Sequence, residues 1–185
     1  MALIGGRHFL SSALLQRCVN VLVIGAGGTG SHVVSDLAVL HQSMLDLGHP
    51  AGLNVTVMDF DEVSSANVGR ARFYESDVGA NKAQVLVNRI NLCYGFKFNA
   101  VSSRLEASSE IDRMDLIIGC VDTRESRRSI WDAFKDGVCY WLDMGNGSDD
   151  GQVVLGQMPG MRGSRLNVNN NGLRLPCVVE LYPEM

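Results

Sequence analysis

The sequence predicts an α/β protein with a Rossmann-like, doubly wound, mostly parallel sheet and helices on both faces. Two observations support this fold class. Strand-like and helix-like segments alternate along the chain, which is typical of parallel sheets covered on both sides. In addition, the apolar segment 21–24 runs directly into Gly25-x-Gly27-x-x-Gly30, the glycine pattern of a nucleotide-binding turn between a strand and a helix.

Each glycine of this turn has a distinct expected role. Gly25 permits the tight turn, Gly27 lets the backbone approach a phosphate, and Gly30 lets the following helix pack close to the strand. The start of that helix offers free N–H groups to an anion. A purely structural turn is the alternative, but the flanking strand and the helical periodicity of residues 31–47 favour phosphate binding.

The remaining elements follow in order along the chain. An amphipathic helix is predicted over residues 9–17, before the first strand. After the glycine turn and its helix come a strand at 54–59, a helix at 81–93, and strands at 96–101 and 115–121. A helix at 124–134 precedes strands at 138–144 and 152–157, and the Asn-rich stretch 167–172 is a predicted loop.

Composition excludes several classes of protein. The chain has 185 residues, enough for one domain with a substantial core, and is 46% hydrophobic and 19% charged. A net charge of −4 without a basic tract argues against nucleic-acid binding. Apolar runs are too short for a membrane span, and the first residues lack signal-peptide features. A cytoplasmic location is therefore expected.

The five cysteines are interpreted as reduced, mostly buried thiols, because they fall mainly within predicted strands or helices. They are Cys18, Cys93, Cys120, Cys139 and Cys177, and none forms a CxxC pair. A zinc site made of four thiolates therefore has no support in this sequence.

Carboxylates follow the second predicted strand, where a doubly wound sheet binds its ligands. Asp59 and Asp61 stand at this strand end, and a carboxylate there can accept hydrogen bonds from ribose hydroxyls. This does not separate ATP from NAD, since both carry an adenosine ribose. Each aspartate has the alternative role of capping a loop.

The discriminating residues come next along the chain. Asn67 and Arg70 lie just past the ribose position, Lys82 lies at the start of the next helix, and Asp122 ends the strand at 115–121. Cations and a carboxylate converging on one sheet edge suit a triphosphate with magnesium, whereas hydride transfer needs none of them. Individually, Arg70 and Lys82 have the alternative of surface charges and Asp122 that of a helix N-cap.

These motifs together resemble the ubiquitin-activating superfamily. They are the run GAGGTGS from Gly25, the Asp59-Phe-Asp61 segment through Arg70, Gly79-x-x-Lys82, the strand ending at Asp122, and Gly151-Gln152-Val. The chain is similar to bacterial ThiF/MoeB/HesA adenylyltransferases, and most of all to ThiF-like members of the PRTRC system. The resemblance covers residues 19–157.

The resemblance implies a role for each matching residue. The phosphate loop corresponds to Gly25, Gly27, Gly28 and Gly30. Asp59 corresponds to the ribose-binding acid and Asp61 to the second acid of that motif. Asn67, Arg70 and Lys82 correspond to nucleotide-contacting residues, Asp122 to the aspartate associated with magnesium, and Arg127 to an arginine that we interpret as chiefly structural. The implied ligands are ATP and Mg²⁺, and the implied partner is a small ubiquitin-like or sulfur-carrier protein.

Some positions depart from the family pattern. Ala71 replaces a usual Gln and Thr123 a usual Asn, which puts fine substrate contacts in doubt. Relatives extend further, so we expect residues 1–185 to be an adenylation domain that lacks its C-terminal part. Relatives are usually dimers, which implies a homodimer here. Cys177 stands either in a loop, as a candidate thioester nucleophile, or in a strand entering the core.

The sequence thus leads to one principal hypothesis and two alternatives. The principal hypothesis is ATP-dependent adenylation of the C-terminal carboxylate of a small protein. One alternative is an NAD(P)-dependent oxidoreductase, supported only by the glycine turn and Asp59. The other is a non-catalytic nucleotide-binding scaffold, for which Ala71 and Thr123 would be signs of lost activity.

Overall fold

A six-stranded sheet organises the protein, whose computed structural model describes residues 8, 10–105, 114–147, 149–161 and 174–184. The strands are β1 (Val19–Ile24), β2 (Leu53–Met58), β3 (Asn99–Val101), β4 (Leu116–Gly119), β5 (Tyr140–Asn146) and β6 (Gly151–Gln157). Their spatial order is β3-β2-β1-β4-β5-β6. The first five are parallel, whereas β6 runs antiparallel to β5. This confirms the predicted doubly wound, mostly parallel fold.

Helices cover both faces of the sheet. They are α1 (Gly28–Asp46), α2 (Lys82–Tyr94), α3 (Arg124–Phe134) and the short α4 (Val178–Leu181). Alternate residues of β1 point to opposite sides, so Val21 and Val23 pack with α1 and α2, whereas Leu22 and Ile24 pack with α3 and α4. Each face of the sheet therefore has its own apolar core.

The strand order places a switch point between β1 and β4. From β1 the chain proceeds to β2 on one side, and β4 lies on the other side of β1. In such sheets ligands bind at the carboxyl ends of the strands beside this point. The glycine turn after β1 and the residue that follows β4, Cys120, meet there, because the Cys120 amide donates to the Ile24 carbonyl over 2.8 Å.

Several element boundaries differ from prediction. The predicted first helix is a 3-10 turn over Ser12–Leu15, and Phe9 lies outside the described residues. The strand predicted at 96–101 is confined to Asn99–Val101. The predicted loop at 167–172 also lies outside the described part of the chain. Residues 124–134 form a helix over the predicted range, with Thr123 as its N-cap.

Of the two alternatives for Cys177, a loop or a strand entering the core, the strand is wrong. Cys177 is the N-cap of α4, and its amide donates to the Glu180 carboxylate over 2.9 Å. The Glu180 side chain is itself held by Arg174 at 2.6 Å. Side-chain contacts thus start a helical turn in an apolar segment that has strand-like composition.

Three of the five cysteines are buried, as predicted for most of them. Cys120, Cys139 and Cys177 are buried, whereas Cys18 is partly exposed and Cys93 is exposed. Cys93 lies in the last turn of α2, after Ile90, the last buried residue of that helix. Within the described residues, no helix has the length and apolar character needed to cross a membrane.

Candidate active site

The glycine turn after β1 has little steric tolerance. Gly25 has φ of +93°, a conformation that favours glycine, and an added Cβ would lie 2.5 Å from the Cys120 carbonyl oxygen. At Gly30 an added Cβ would lie 1.9 Å from the Gly25 oxygen. These two glycines let the turn fold back against both β4 and the start of α1.

The middle of the same turn faces open space. A Cβ added at Gly27 or Gly28 would meet no atom within 4 Å. Gly27 is the N-cap of α1, so the amides of the first helical turn have no carbonyl acceptor inside the helix. Free N–H groups facing open space at a helix start form an anion-binding geometry.

Asp59 joins this turn to the end of β2. Its Oδ2 accepts a hydrogen bond from the Ala26 amide at 2.6 Å, and its Oδ1 accepts one from the Asp61 amide at 2.8 Å. The carboxylate is buried, yet each of its oxygens has a further lone pair. Asp59 thus caps the loop and retains capacity for ligand hydroxyl groups, so its two expected roles are compatible.

Asp61 and Lys82 form an ion pair beside Asp59. Lys82 Nζ lies 3.1 Å from Asp61 Oδ2, and the Lys82 amide donates to the Asp61 carbonyl at 2.9 Å. Asn81 caps α2 and also donates to the Asp59 carbonyl at 2.8 Å. The ammonium group is therefore positioned at the start of α2 by contacts to the loop after β2.

The loop with Asn67 and Arg70 is fastened to the start of α1. Ser31 Oγ donates to the Gly28 carbonyl at 3.0 Å and accepts the Arg72 amide at 3.1 Å. Asn67 is buried and its Oδ1 accepts the Ser64 amide at 2.9 Å, so this side chain supports the loop itself.

Arg70 lies in the same loop, beside a buried anchor. The Ala71 side chain is buried in the core, and the Ala71 amide donates to the Asn67 carbonyl at 3.0 Å. The Arg70 side chain is exposed, and within the described part of the chain it makes no ion pair. Its guanidinium is available for an anionic ligand.

Asp122 follows β4 at the same edge of the sheet. The alternative role as N-cap of α3 is excluded, because Thr123 holds that position and its Oγ1 accepts the Ser126 amide at 3.1 Å. Asp122 is exposed and forms no ion pair among the described residues. The described residues contain no cluster of three metal-ligating side chains. A single free carboxylate suits magnesium, which usually binds through one or two carboxylates together with substrate phosphates.

Arg127 has the structural role expected for it. Its Nε lies 3.0 Å and 3.1 Å from the two carboxylate oxygens of Asp143, and both side chains are buried. Burial raises the pKa of Asp143, while the hydrogen bond from Arg127 opposes that shift. This ion pair ties α3 to the middle of β5, where Asp143 lies opposite Gly119 at the end of β4.

Sequence reasoning missed two features of this edge. One is Asp143, although an acid within the apolar run of β5 is unusual and signals a buried partner. The second feature is the guanidinium of Arg104, which lies 4.0 Å above the exposed ring of Phe60. Arg104 follows β3 and Phe60 follows the neighbouring strand β2. Their contact depends on the order of the strands in the sheet, which no local sequence pattern reveals.

An open depression adjoins the glycine turn. It has a volume of about 350 Å³ and is lined by Thr29, Met144, Gly145, Asn146, Gly151, Gln152 and Val153. These residues belong to the start of α1 and to the hairpin of β5 and β6. The site therefore has room on the β5 side of the turn for a group that approaches a bound phosphate.

The buried cysteines are poorly suited to nucleophilic chemistry. Burial raises the pKa of Cys120, Cys139 and Cys177 to about 12, so at neutral pH each is a thiol, whereas the thiolate is the reactive form. Cys177 is fully buried. In this conformation it cannot act as a thioester nucleophile.

Comparison with known proteins agrees with this fold. The model of the ThiF family matches residues 12–164. The chain is 28% identical over 173 residues to the NEDD8-activating enzyme E1 catalytic subunit of Caenorhabditis elegans, covering 88% of this chain and 37% of that protein. It is 25% identical to ubiquitin-like modifier-activating enzyme 5 of the same organism, covering 68% of this chain and 31% of that enzyme.

A further relative is the NEDD8-activating enzyme E1 catalytic subunit of Dictyostelium discoideum. It is 31% identical, with 63% of this chain and 25% of that protein covered. The chain thus spans between a quarter and two fifths of the length of these relatives. The family match extends over most of the chain and includes the glycine turn, Asp59, Arg70, Lys82 and Asp122. This chain belongs to the ThiF family.

Proposed function

We propose that this protein adenylates the C-terminal carboxylate of a small ubiquitin-like or sulfur-carrier protein, using ATP and Mg²⁺ and releasing pyrophosphate. One observation carries the proposal. Four groups lie in segments at the carboxyl ends of the strands or at the starts of the helices that follow them. They are the open glycine turn, the free guanidinium of Arg70, the positioned ammonium of Lys82 and the free carboxylate of Asp122.

Nucleotide binding is assigned to the glycine turn and the loop after β2. The amides of Gly27 and Gly28 would contact phosphate oxygens, with Gly25 and Gly30 shaping the turn. Asp59 would accept hydrogen bonds from the ribose, while Asp61 orients Lys82. Asn67 would act mainly by supporting the loop that presents Arg70.

The chemical step would be an in-line displacement at the α-phosphorus. The partner's carboxylate is already an anion at neutral pH, so no general base is needed. A bond forms between a carboxylate oxygen and the α-phosphorus as the bond to the leaving pyrophosphate breaks. Arg70 and Lys82 would stabilise the negative charge that grows on the phosphate oxygens. Magnesium, when bound, would neutralise phosphate charge and would be held by Asp122.

The partner is inferred from the relatives, whose names describe activating enzymes for NEDD8 and ubiquitin-like modifiers. We propose a protein of that general kind, and within the family we propose a member like those of the PRTRC system. Residues 1–185 would form the nucleotide-binding adenylation domain, and the protein would act in the cytoplasm.

Self-association is a further part of this proposal. Val153 and Leu155 are exposed on β6, which is the edge strand of the sheet within the described residues. Exposed apolar residues on an edge strand favour contact with another chain, and we propose a homodimer. Sedimentation as a monomer at micromolar concentration would contradict it.

Two titrations and one kinetic assay test the function. Calorimetry should show ATP binding that depends on magnesium and exceeds NAD binding. Tighter NAD binding, unaffected by magnesium, would favour the oxidoreductase alternative. ATP–pyrophosphate exchange should require a ubiquitin-like or sulfur-carrier protein that ends in glycine. Magnesium-dependent ATP binding without exchange for any such protein would favour the non-catalytic scaffold.

A further inference from the structure

A second cavity lies between α3 and the segment that contains α4, and its lining shares no residue with the depression beside the glycine turn. It has a volume of about 320 Å³ and is lined by Arg124, Glu125, Arg128, Val179, Tyr182 and Pro183. Arg124 and Arg128 stand four residues apart on α3, so they share one face of the helix. The opposite wall, from α4 and the residues after it, is largely apolar.

Among the described residues, the two arginines lack ionic partners, as Arg70 does, whereas four other arginines are paired. Arg17, Arg89, Arg127 and Arg174 are each bound to a carboxylate. Among the described residues neither Arg124 nor Arg128 forms an ion pair or a side-chain hydrogen bond, even though Glu125 lies in the same wall. Two exposed guanidinium groups and one carboxylate therefore line the cavity, which leaves its wall with a net positive charge.

The apolar wall is firmly held in place. Val178 is buried in the core with Ile130 and Phe134 of α3. Arg174 donates to the Gln157 carbonyl at 2.9 Å and binds Glu180, which caps the start of α4. The cavity is thus a gap between two fixed elements, and ligand binding would not require it to be opened.

We propose that this cavity binds an acidic segment of the protein partner. Bidentate pairing with carboxylates is the interaction that guanidinium groups form best, and Tyr182 and Pro183 offer apolar contact to the segment's aliphatic groups. The chain as a whole carries a net charge of −4, so this pair of arginines is a local positive feature of an acidic protein. Arg124 follows Asp122 by two residues, so a segment bound here lies beside the proposed adenylation site. The inference rests on the proposed function for its choice of a protein as ligand.

A short acidic peptide tests the cavity independently of ATP. The probe is a fluorescein-labelled hexapeptide, Glu-Glu-Leu-Glu-Gly-Gly, and its counterpart contains Gln in place of each Glu. Anisotropy titration of the full chain should give tighter binding of the acidic peptide. The double variant Arg124→Ala/Arg128→Ala should weaken that binding by about 25-fold, since an ion pair of an exposed arginine is worth up to about 1 kcal/mol, or about fivefold per residue.

Matched variants make the result specific. Lys97→Ala/Lys135→Ala removes the same number of positive charges from side chains that are at least partly exposed and lie outside the cavity, and it should bind the peptide as the wild type does. The reversal Arg124→Glu/Arg128→Glu should reject the acidic peptide and bind a lysine version of it. Equal binding of the acidic and Gln peptides, or unchanged binding by the Ala double variant, would overturn the proposal.

Two further measurements distinguish peptide binding from contact between copies of the chain and from nucleotide binding. If the Ala double variant lowers the sedimentation coefficient without changing peptide binding, the cavity is a contact between copies and the proposal is wrong. If the wild type binds the acidic peptide but shows no magnesium-dependent ATP binding, the cavity assignment stands and the adenylation proposal fails. If ATP binds in the presence of magnesium but the acidic peptide does not bind, the cavity assignment fails and the adenylation proposal stands.

Discussion

The Ala26 amide donates a hydrogen bond of 2.6 Å to Oδ2 of Asp59, which joins the glycine turn to the end of β2. Asp59→Asn replaces one acceptor oxygen by an NH₂ group, which must then face either the Ala26 amide or the Asp61 amide. We expect the unfolding free energy to fall by about 1–3 kcal/mol, the cost of a buried donor without an acceptor. Urea denaturation measures it, and an unchanged midpoint would contradict the assigned bond.

The two ends of the glycine turn should respond differently to an added methyl group. Gly30→Ala places a Cβ 1.9 Å from the Gly25 oxygen, and we expect destabilisation by about 3 kcal/mol or more. Gly28→Ala meets open space, so its stability should stay within about 1 kcal/mol of the wild type. Thermal melts compare the two variants.

Gly28→Ala also tests whether a phosphate group of ATP binds at the glycine turn. If phosphate approaches the turn as proposed, the new methyl group fills that space, and calorimetry should show ATP binding weakened by at least about tenfold, or 1.4 kcal/mol. A stable Gly28→Ala variant that binds ATP normally would show that the phosphate lies elsewhere.

Charge removal at the proposed phosphate site should affect the rate and leave the fold intact. Arg70→Ala and Lys82→Ala should each lower ATP–pyrophosphate exchange by about a hundred- to a thousand-fold, because a charged transition-state contact is worth about 3–4 kcal/mol. Asp122→Ala should do similar damage and weaken the response to magnesium. Lys97→Ala, at an exposed position, is the control.

Melting temperatures complete that experiment. The side chains of Arg70 and Asp122 are exposed, and Asp61, the partner of Lys82, is half-exposed. Each of the three substitutions should therefore change the unfolding free energy by about 1 kcal/mol or less. Variants that melt normally and still exchange at the wild-type rate would identify these residues as surface charges and refute the adenylation mechanism.

Thiol labelling should follow burial. At pH 8 the native protein should react quickly at Cys93, which is exposed, whereas Cys120, Cys139 and Cys177 should react only after unfolding. Their pKa values of about 12 keep them protonated. Mass spectrometry after brief alkylation locates the adducts, with Cys93→Ser as the control. Rapid native labelling of Cys177 would restore it as a nucleophile.

His41 should make stability depend on pH. Its Nδ1 accepts the Leu53 amide at 2.9 Å, its ring packs on Phe96 and Phe98, and burial lowers its pKa. The unfolded chain therefore binds a proton more readily, so stability conferred by neutral His41 is present above about pH 6.5 and is lost as pH falls below it. Urea titrations at pH 7.5 and 5.5 should show a smaller pH effect in His41→Asn; an equal effect in both proteins would contradict this.

Local patterns predicted the parts of the site that are close in sequence. The glycine turn was recognisable because strand, glycines and helix periodicity are contiguous. The range of α3 was predicted correctly because its apolar periodicity is local, although its N-cap is Thr123 and not the candidate Asp122. The place of Asp59 at the ligand-binding edge of the sheet followed from the general topology of doubly wound sheets, whereas its hydrogen bond to the Ala26 amide was not predicted.

Contacts between distant segments could not be predicted in the same way. Arg104 reaches Phe60 only because β3 lies beside β2. The segment around Cys177 has the composition of a strand. It nevertheless forms a helical turn, α4, whose Glu180 is held by an ion pair with Arg174. Likewise, Asp143 within β5 finds its partner on α3, an element that precedes it in the chain.

The hydrogen bond from the Arg72 amide to Ser31 Oγ closes a ring of chain that contains α1, β2 and the loop with Arg70. In the native structure this bond requires α1 to be docked on the sheet and β2 to be paired with β1. The place of Arg70 beside the start of α1 therefore depends on the packing of the first half of the sheet. A newly made chain would acquire its anion site at the same moment as its native packing, and ATP would bind and stabilise only molecules that have already folded correctly.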